Sequence, residues 1–93
     1  MDNEQLIPAD IICTHHQIEY HFISSLETAG LIEVTTVEGA SFIHPSQLQD
    51  LEKFICFHYE LDINLEGIEA IAALLQRVRS LQREVDVLRN RAV

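Results

Sequence analysis

Ile18-Glu19-Tyr20-His21-Phe22-Ile23-Ser24-Ser25-Leu26-Glu27-Thr28-Ala29-Gly30-Leu31 decides the fold. Ile18, Phe22, Leu26 and Ala29 recur at helical spacing and share one face, which predicts a helix over residues 18–29. Gly30 ends it in the left-handed conformation that glycine adopts most cheaply, and Leu31 supplies the apolar residue of a Schellman-type cap. Upstream, Pro8 suits the first turn of a helix, where a missing N–H costs nothing. Ile11, Ile12 and Cys13 give that first short helix its apolar stripe, and it should end near His15-His16. Two short helices joined by a tight turn form a helix-turn-helix unit.

Working downstream, residues 31–37 are β-branched and partly alternating, and Glu38-Gly39 offers a turn before Ser41-Phe42-Ile43. That pattern predicts a small β-hairpin in the position of a wing. Pro45 opens a third helix with Leu48, Leu51, Ile55, His58 or Tyr59, and Leu61 along one side. Asn64 suits the N-cap of a fourth helix, with Ile63 stapled onto Ile68 and Gly67 in the first turn. From there Ile71, Leu74, Val78, Leu81, Val85, Leu88 and Ala92 step by three and four. As heptads, Ile71, Val78 and Val85 fall at a and Leu74, Leu81 and Leu88 at d, a pattern that favours two parallel strands. Glu84 and Arg89 fall at g and e, as a parallel interchain pair requires. The stripe is longer than a core of this size can cover, so a homodimer is expected; the competing arrangement is one amphipathic helix folded back on its own domain. The organisation is then a winged helix-turn-helix-like domain over residues 1–63 and a C-terminal helix or coiled coil over 64–93, mainly α with a small hairpin.

Charge opposes the use most often made of such a frame. Residues 1–76 hold 13 Asp/Glu against one base, Lys53, while residues 77–93 hold five Arg against two acids, giving the overall net charge of −9. The expected recognition helix presents Glu19, His21, Ser24, Ser25, Glu27 and Thr28, with no Arg or Lys to reach guanine or phosphate. Residues 31–44 add Glu33 and Glu38 and again no base. An acidic body repels a polyanion, so protein recognition is expected and direct nucleic-acid binding is not.

Other chemistry is thin. Cys13, His15, His16, His21, His44, Cys56 and His58 include two Cys-x-His pairs, a zinc-compatible set, but at no known finger spacing. Core cysteines explain the two thiols as well, and no metal is expected. Among three glycines there is no phosphate loop, no nucleophile–base spacing stands out, and neither catalysis, cofactor nor small-molecule substrate is expected. Asp62, Glu66 and Glu69 gather at a helix start, which favours negative charge on its own account. No run reaches the length of a membrane span, the acidic start is unlike a signal peptide, and two unpaired thiols suit a reducing cytoplasm.

Two stretches carry a resemblance. Residues 12–18 (ICTHHQI), running on to Leu26 and then Gly30-Leu31-Ile32-Glu33-Val34, are one. The other is His58-Tyr59-Glu60-Leu61-Asp62-Ile63-Asn64-Leu65-Glu66-Gly67-Ile68, continuing to Leu81-Gln82-Arg83-Glu84 and Leu88-Arg89-Asn90-Arg91. Together they resemble the CbpM-type chaperone modulators, whose fold is similar to the MerR helix-turn-helix. The resemblance implies binding to the J-domain of a CbpA- or DnaJ-like co-chaperone and inhibition of its engagement with Hsp70. It also implies antiparallel coils, as in MerR-type dimers, against the parallel heptad pattern. A J-domain offers Hsp70 a basic helix, which an acidic competitor complements. The expected contacts are Glu60, Asp62, Glu66 and Glu69, with Glu27 and Glu33 secondary, and the dimer seam is Ile71, Leu74, Val78, Leu81, Val85 and Leu88. The alternatives are a MerR-like DNA-binding transcription regulator and an interaction module for some other basic partner.

Overall fold

The structure, a computed structural model, describes residues 5–92, Ala92 by its backbone alone. The acids Asp2 and Glu4 and the terminal Val93 lie outside the described residues. In chain order the elements are β1 (Ile7–Pro8), α1 (Ala9–His16), α2 (Tyr20–Thr28), β2 (Thr35–Val37), β3 (Ala40–Ile43), α3 (Leu48–Ile55) and α4 (Leu65–Ala92). A 3-10 turn, Pro45–Gln47, leads into α3, and a π turn, Cys56–Glu60, leads out of it.

Both helix ends of the helix-turn-helix close by the same device. Gln17 takes the left-handed conformation after α1, with φ 58°, and the Ile18 N–H reaches back to the Cys13 carbonyl at 3.0 Å. After α2, Gly30 is left-handed and the Leu31 N–H reaches the Leu26 carbonyl at 2.9 Å, the six-to-one bond of a Schellman cap. Glycine satisfies the second site at no steric cost; Gln17 holds the first against a penalty of about 1–2 kcal/mol. Ile18 falls in the turn rather than in α2, and it is buried there.

The sheet differs from the expected hairpin in two respects. Its order is β1-β3-β2, all antiparallel, so Ile7-Pro8 forms an edge strand where the sequence suggests only a helix start. Pro8 is the N-cap of α1 in extended conformation, one residue earlier than expected. The second strand is shorter than residues 31–37: only Thr35–Val37 pair with β3, Val37 facing Ala40 across the Glu38-Gly39 turn. Both turn residues have positive φ, 51° and 81°, as a type I′ turn requires. Leu31 to Val34 stay irregular because Ile32 goes into the core, while the Glu33 N–H is satisfied by Gln47 Oε1 at 3.0 Å.

One apolar cluster joins the elements. Ile23 and Leu26 of α2, Ile43 of β3, Leu51 of α3 and Ile68 of α4 are fully buried, each contributing about 1.5–3 kcal/mol by its removal from water. Leu65 and Ala72 of α4 pack at its margin. Leu75, Gln76 and Arg79 still border a cleft with Asp50 and Phe54, and beyond Arg79 the helix leaves the body: the radius of gyration is 16.1 Å, against about 12 Å for a compact chain of this length. Leu74, Val78, Leu81, Val85 and Leu88 are 47–62 % exposed, so the helix does not fold back over its own stripe.

The start of α4 is fixed by its sequence. Asn64 Oδ1 accepts the Gly67 N–H at 2.8 Å, the N-cap bond that its position suggests. A Cβ at Gly67 would sit 2.6 Å from Ile63 Cγ2 and 3.2 Å from Asn64 Oδ1. Alanine therefore cannot enter without displacing a branched side chain packed on the core or the cap itself. Gly67→Ala is expected to lower stability by about 1–2 kcal/mol although alanine is the better helix former by about 1 kcal/mol. Urea denaturation measures the sign; a stabilised variant would mean that Ile63 moves aside freely.

Candidate partner interface

The π turn places its side chains against α2. A π turn widens the helix by one residue, and here it brings His58 and Tyr59 over Phe22. His58 stacks on Phe22 with ring centres 4.7 Å apart and planes within 15°, and Tyr59 meets both rings edge-on. His58 Nδ1 lies 2.9 Å from the Ile63 carbonyl, which can only accept, so Nδ1 carries the proton. The Tyr59 hydroxyl accepts the Glu19 N–H at 3.3 Å, and the Tyr20 hydroxyl shares a hydrogen bond of 2.8 Å with Ser41 on β3. α2 is thus tied at its start to the π turn on one side and to the sheet on the other.

Next to this tie runs a shallow trough. One part is lined by Glu19, Phe22, His58 and Tyr59, the other by Ser24, Thr28, Ala29 and Glu69, and both share His21, Ser25 and Leu65. The exposed face of α2 forms one wall and the first turns of α4 the other. Glu69 is the one sequence-expected contact that lines it. Glu66 is exposed in the first turn of α4. Glu60 is exposed on the π turn, where Oε1 accepts the Cys56 thiol at 3.4 Å. Glu27, in the last turn of α2, and Glu33, after it, are exposed but line no part of the trough.

Asp62 has a structural task. Its φ is 59°, in the left-handed region, where the chain reverses after the π turn; the Leu61 N–H bonds the Cys56 carbonyl and the Ile63 N–H the Phe57 carbonyl. Aspartate, asparagine and glycine tolerate this conformation best. Because the helix has ended, Leu61 is 59 % exposed rather than on the buried side of a third helix.

Among the described residues no three of His, Cys, Asp and Glu come together as a metal would need. Burial and then the nearby Asp10 push the Cys13 thiol up; the hydrogen bond to Glu60, then burial and the Glu60 charge, push Cys56 up. Protonated thiols are poor ligands and poor nucleophiles. His44 is occupied in part as the cap of the 3-10 turn, its Nδ1 accepting the Ser46 N–H at 3.1 Å. Cations lie elsewhere: Arg79 of α4 pairs with Asp50 of α3 at 3.8 Å, both half exposed, and Arg77, Arg83, Arg89 and Arg91 stand on the protruding helix. No Lys or Arg occurs on α2, β2 or β3. No helix among the described residues is long and apolar enough to cross a membrane.

A helix-turn-helix, a three-stranded sheet against it, and one long terminal helix define a class of small regulatory domain. The family described as MerR HTH family regulatory protein matches residues 7–90, and the chain belongs to it. No curated protein and no solved structure matches.

The left-handed turn at residue 62 has a measurable consequence. Asp62→Asn and Asp62→Gly are expected to melt within a few degrees of the native chain, and Asp62→Val to lose about 1–2 kcal/mol. Equal melting of all three in thermal denaturation would remove the turn's demand on this residue.

Proposed function

We propose that this chain is an adaptor without catalytic activity that binds the basic face of a J-domain and inhibits its engagement with Hsp70, as its resemblance to the CbpM-type modulators implies. One observation supports it above others: in a family built on helix-turn-helix domains, the exposed α2 and the β2-β3 hairpin carry carboxylates and no base. A duplex presents a phosphate charge about every 1.7 Å along its axis, and this face has no Lys or Arg with which to neutralise one. A cationic helix meets complementary charge there, which speeds encounter and fixes orientation. The β2-β3 hairpin, expected from sequence to be a wing, has no Lys or Arg for contacts to phosphate. The reducing cytoplasm suits both an Hsp70 inhibitor and two protonated thiols.

The family description favours a second reading, a DNA-binding regulator whose phosphate contacts come from the arginines of α4. Surface plasmon resonance separates the two. The J-domain of a CbpA-like co-chaperone is expected to bind with an association rate that falls by about tenfold as salt rises from low to near-physiological and beyond, since the screening length shrinks. A generic duplex should give no response at near-physiological salt. Tight duplex binding with a steep salt slope, and silence toward the J-domain, would replace the adaptor by the regulator.

The exposed stripe Ile71, Leu74, Val78, Leu81, Val85 and Leu88 completes the proposal as the seam of a homodimer. Its β-branched and leucine alternation fits a partner helix, and five of its six side chains are largely open to solvent in the single chain. Light scattering at micromolar concentration should give twice the chain mass. Leu81→Asp should give the monomer mass, because an unpaired carboxylate in the seam costs about 3–5 kcal/mol. A monomeric wild type would leave the stripe without this role.

A further inference from the structure

We infer that the trough between α2 and the start of α4 is the docking groove for a cationic amphipathic helix, which deepens the adaptor reading and rests on it. The trough is continuous, since its two parts share His21, Ser25 and Leu65. Its α2 wall offers Ser24, Ser25 and Thr28, short uncharged side chains over which another helix can approach closely. Phe22 and Leu65 give it an apolar lining, and Tyr59, 44 % exposed, stands at the rim. Glu19 lies in one part and Glu69 in the other, and no Lys or Arg lines either.

That combination selects the occupant. α2 from Tyr20 to Thr28 spans about 14 Å, two and a half turns, which is the length of helix the wall can accompany. A matching segment presents one or two apolar side chains to Leu65 and Tyr59, with Lys or Arg a turn or two away on either side for Glu19 and Glu69. An acidic or phosphate-bearing ligand meets like charge at both parts. The lining is also preset: the stacked His58, its bond to the Ile63 carbonyl and the Tyr59 bond to α2 hold it before a partner arrives. Pre-organisation of this kind removes part of the ordering cost of association. The exposed face of α2, where the sequence places a recognition helix, carries carboxylates and no Lys or Arg, and so suits a basic protein helix.

Two paired variants test it against the J-domain. Glu19→Gln with Glu69→Gln neutralises both parts of the trough, and the Glu19 side chain makes no capping bond whose loss would confuse the result. Glu33→Gln with Glu38→Gln removes the same charge beside the sheet. The trough pair is expected to weaken binding by about tenfold and the control pair by about twofold or less. Amide shifts induced by the J-domain should fall on Ser24, Ser25, Thr28 and residues 65–69. Equal losses in the two pairs, or shifts confined to other elements, would overturn the groove while leaving the adaptor reading intact. A drop in the chain's own oligomeric mass in the trough pair would mean that a second copy fills the groove, and would also overturn it. A wild type that ignores the J-domain ends the adaptor reading and the groove with it.

Discussion

The burial of Ile68 is the contact on which the rest of this small domain depends. Four elements contribute large, fully buried aliphatic side chains to one cluster, and Ile68 is the one that α4 supplies. A core this small has no reserve, so the first turn of α4 must enter at one depth and angle. Asn64 fixes the angle by capping, Gly67 makes room for Ile63, and Asp62 reverses the chain to deliver both. The three residues are consecutive solutions to a single geometric demand. Beyond Arg79, which still pairs with Asp50, the helix is free to extend.

Much of this could be read from residues alone, where a local rule sufficed. Gly30-Leu31 ends α2 by its Schellman bonds, Glu38-Gly39 turns the hairpin, and Asn64 caps α4, because each of these is decided within about five residues. The misses are features that need the rest of the fold. β1 is two residues long and one is proline; only β3 beside it makes it a strand. Leu31 to Val34 look like a strand by composition, but Ile32 is claimed by the core and Gln47 takes the Glu33 N–H. The π turn leaves no periodic mark, so helical spacing from Leu48 puts Leu61 on the buried side, whereas it is exposed. The trough likewise draws on packing across the fold. Clustering of acids in sequence points to Glu60, Asp62, Glu66 and Glu69, and only Glu69 lines it; Glu19, His21, Tyr59 and Leu65 join it through packing between elements far apart in the chain.

Charge and shape divide the molecule in the same place. The acidic excess belongs to the packed body, and five of the six bases belong to the helix that leaves it. The Arg79–Asp50 pair marks the boundary, half exposed and worth little by itself. Such a polarised chain orients in the field of a charged partner before contact, so approach by the acidic end is favoured for a basic one. Fold and charge therefore carry separate information: the first is that of the MerR family, and the second decides which polymers can come near.

The two-residue strand has a consequence for solubility. A sheet edge is a template on which other chains can add strands, and an apolar fraction of 47 % makes that a hazard. Here one edge ends in Pro8, which has no N–H to offer, and is short enough to give a visiting strand almost nothing to pair with. The opposite edge, Thr35–Val37, is three residues long and runs straight into the tight Glu38-Gly39 reversal. Neither edge offers a visiting strand more than three residues to pair with, so this sheet is a poor template for a cross-β ladder.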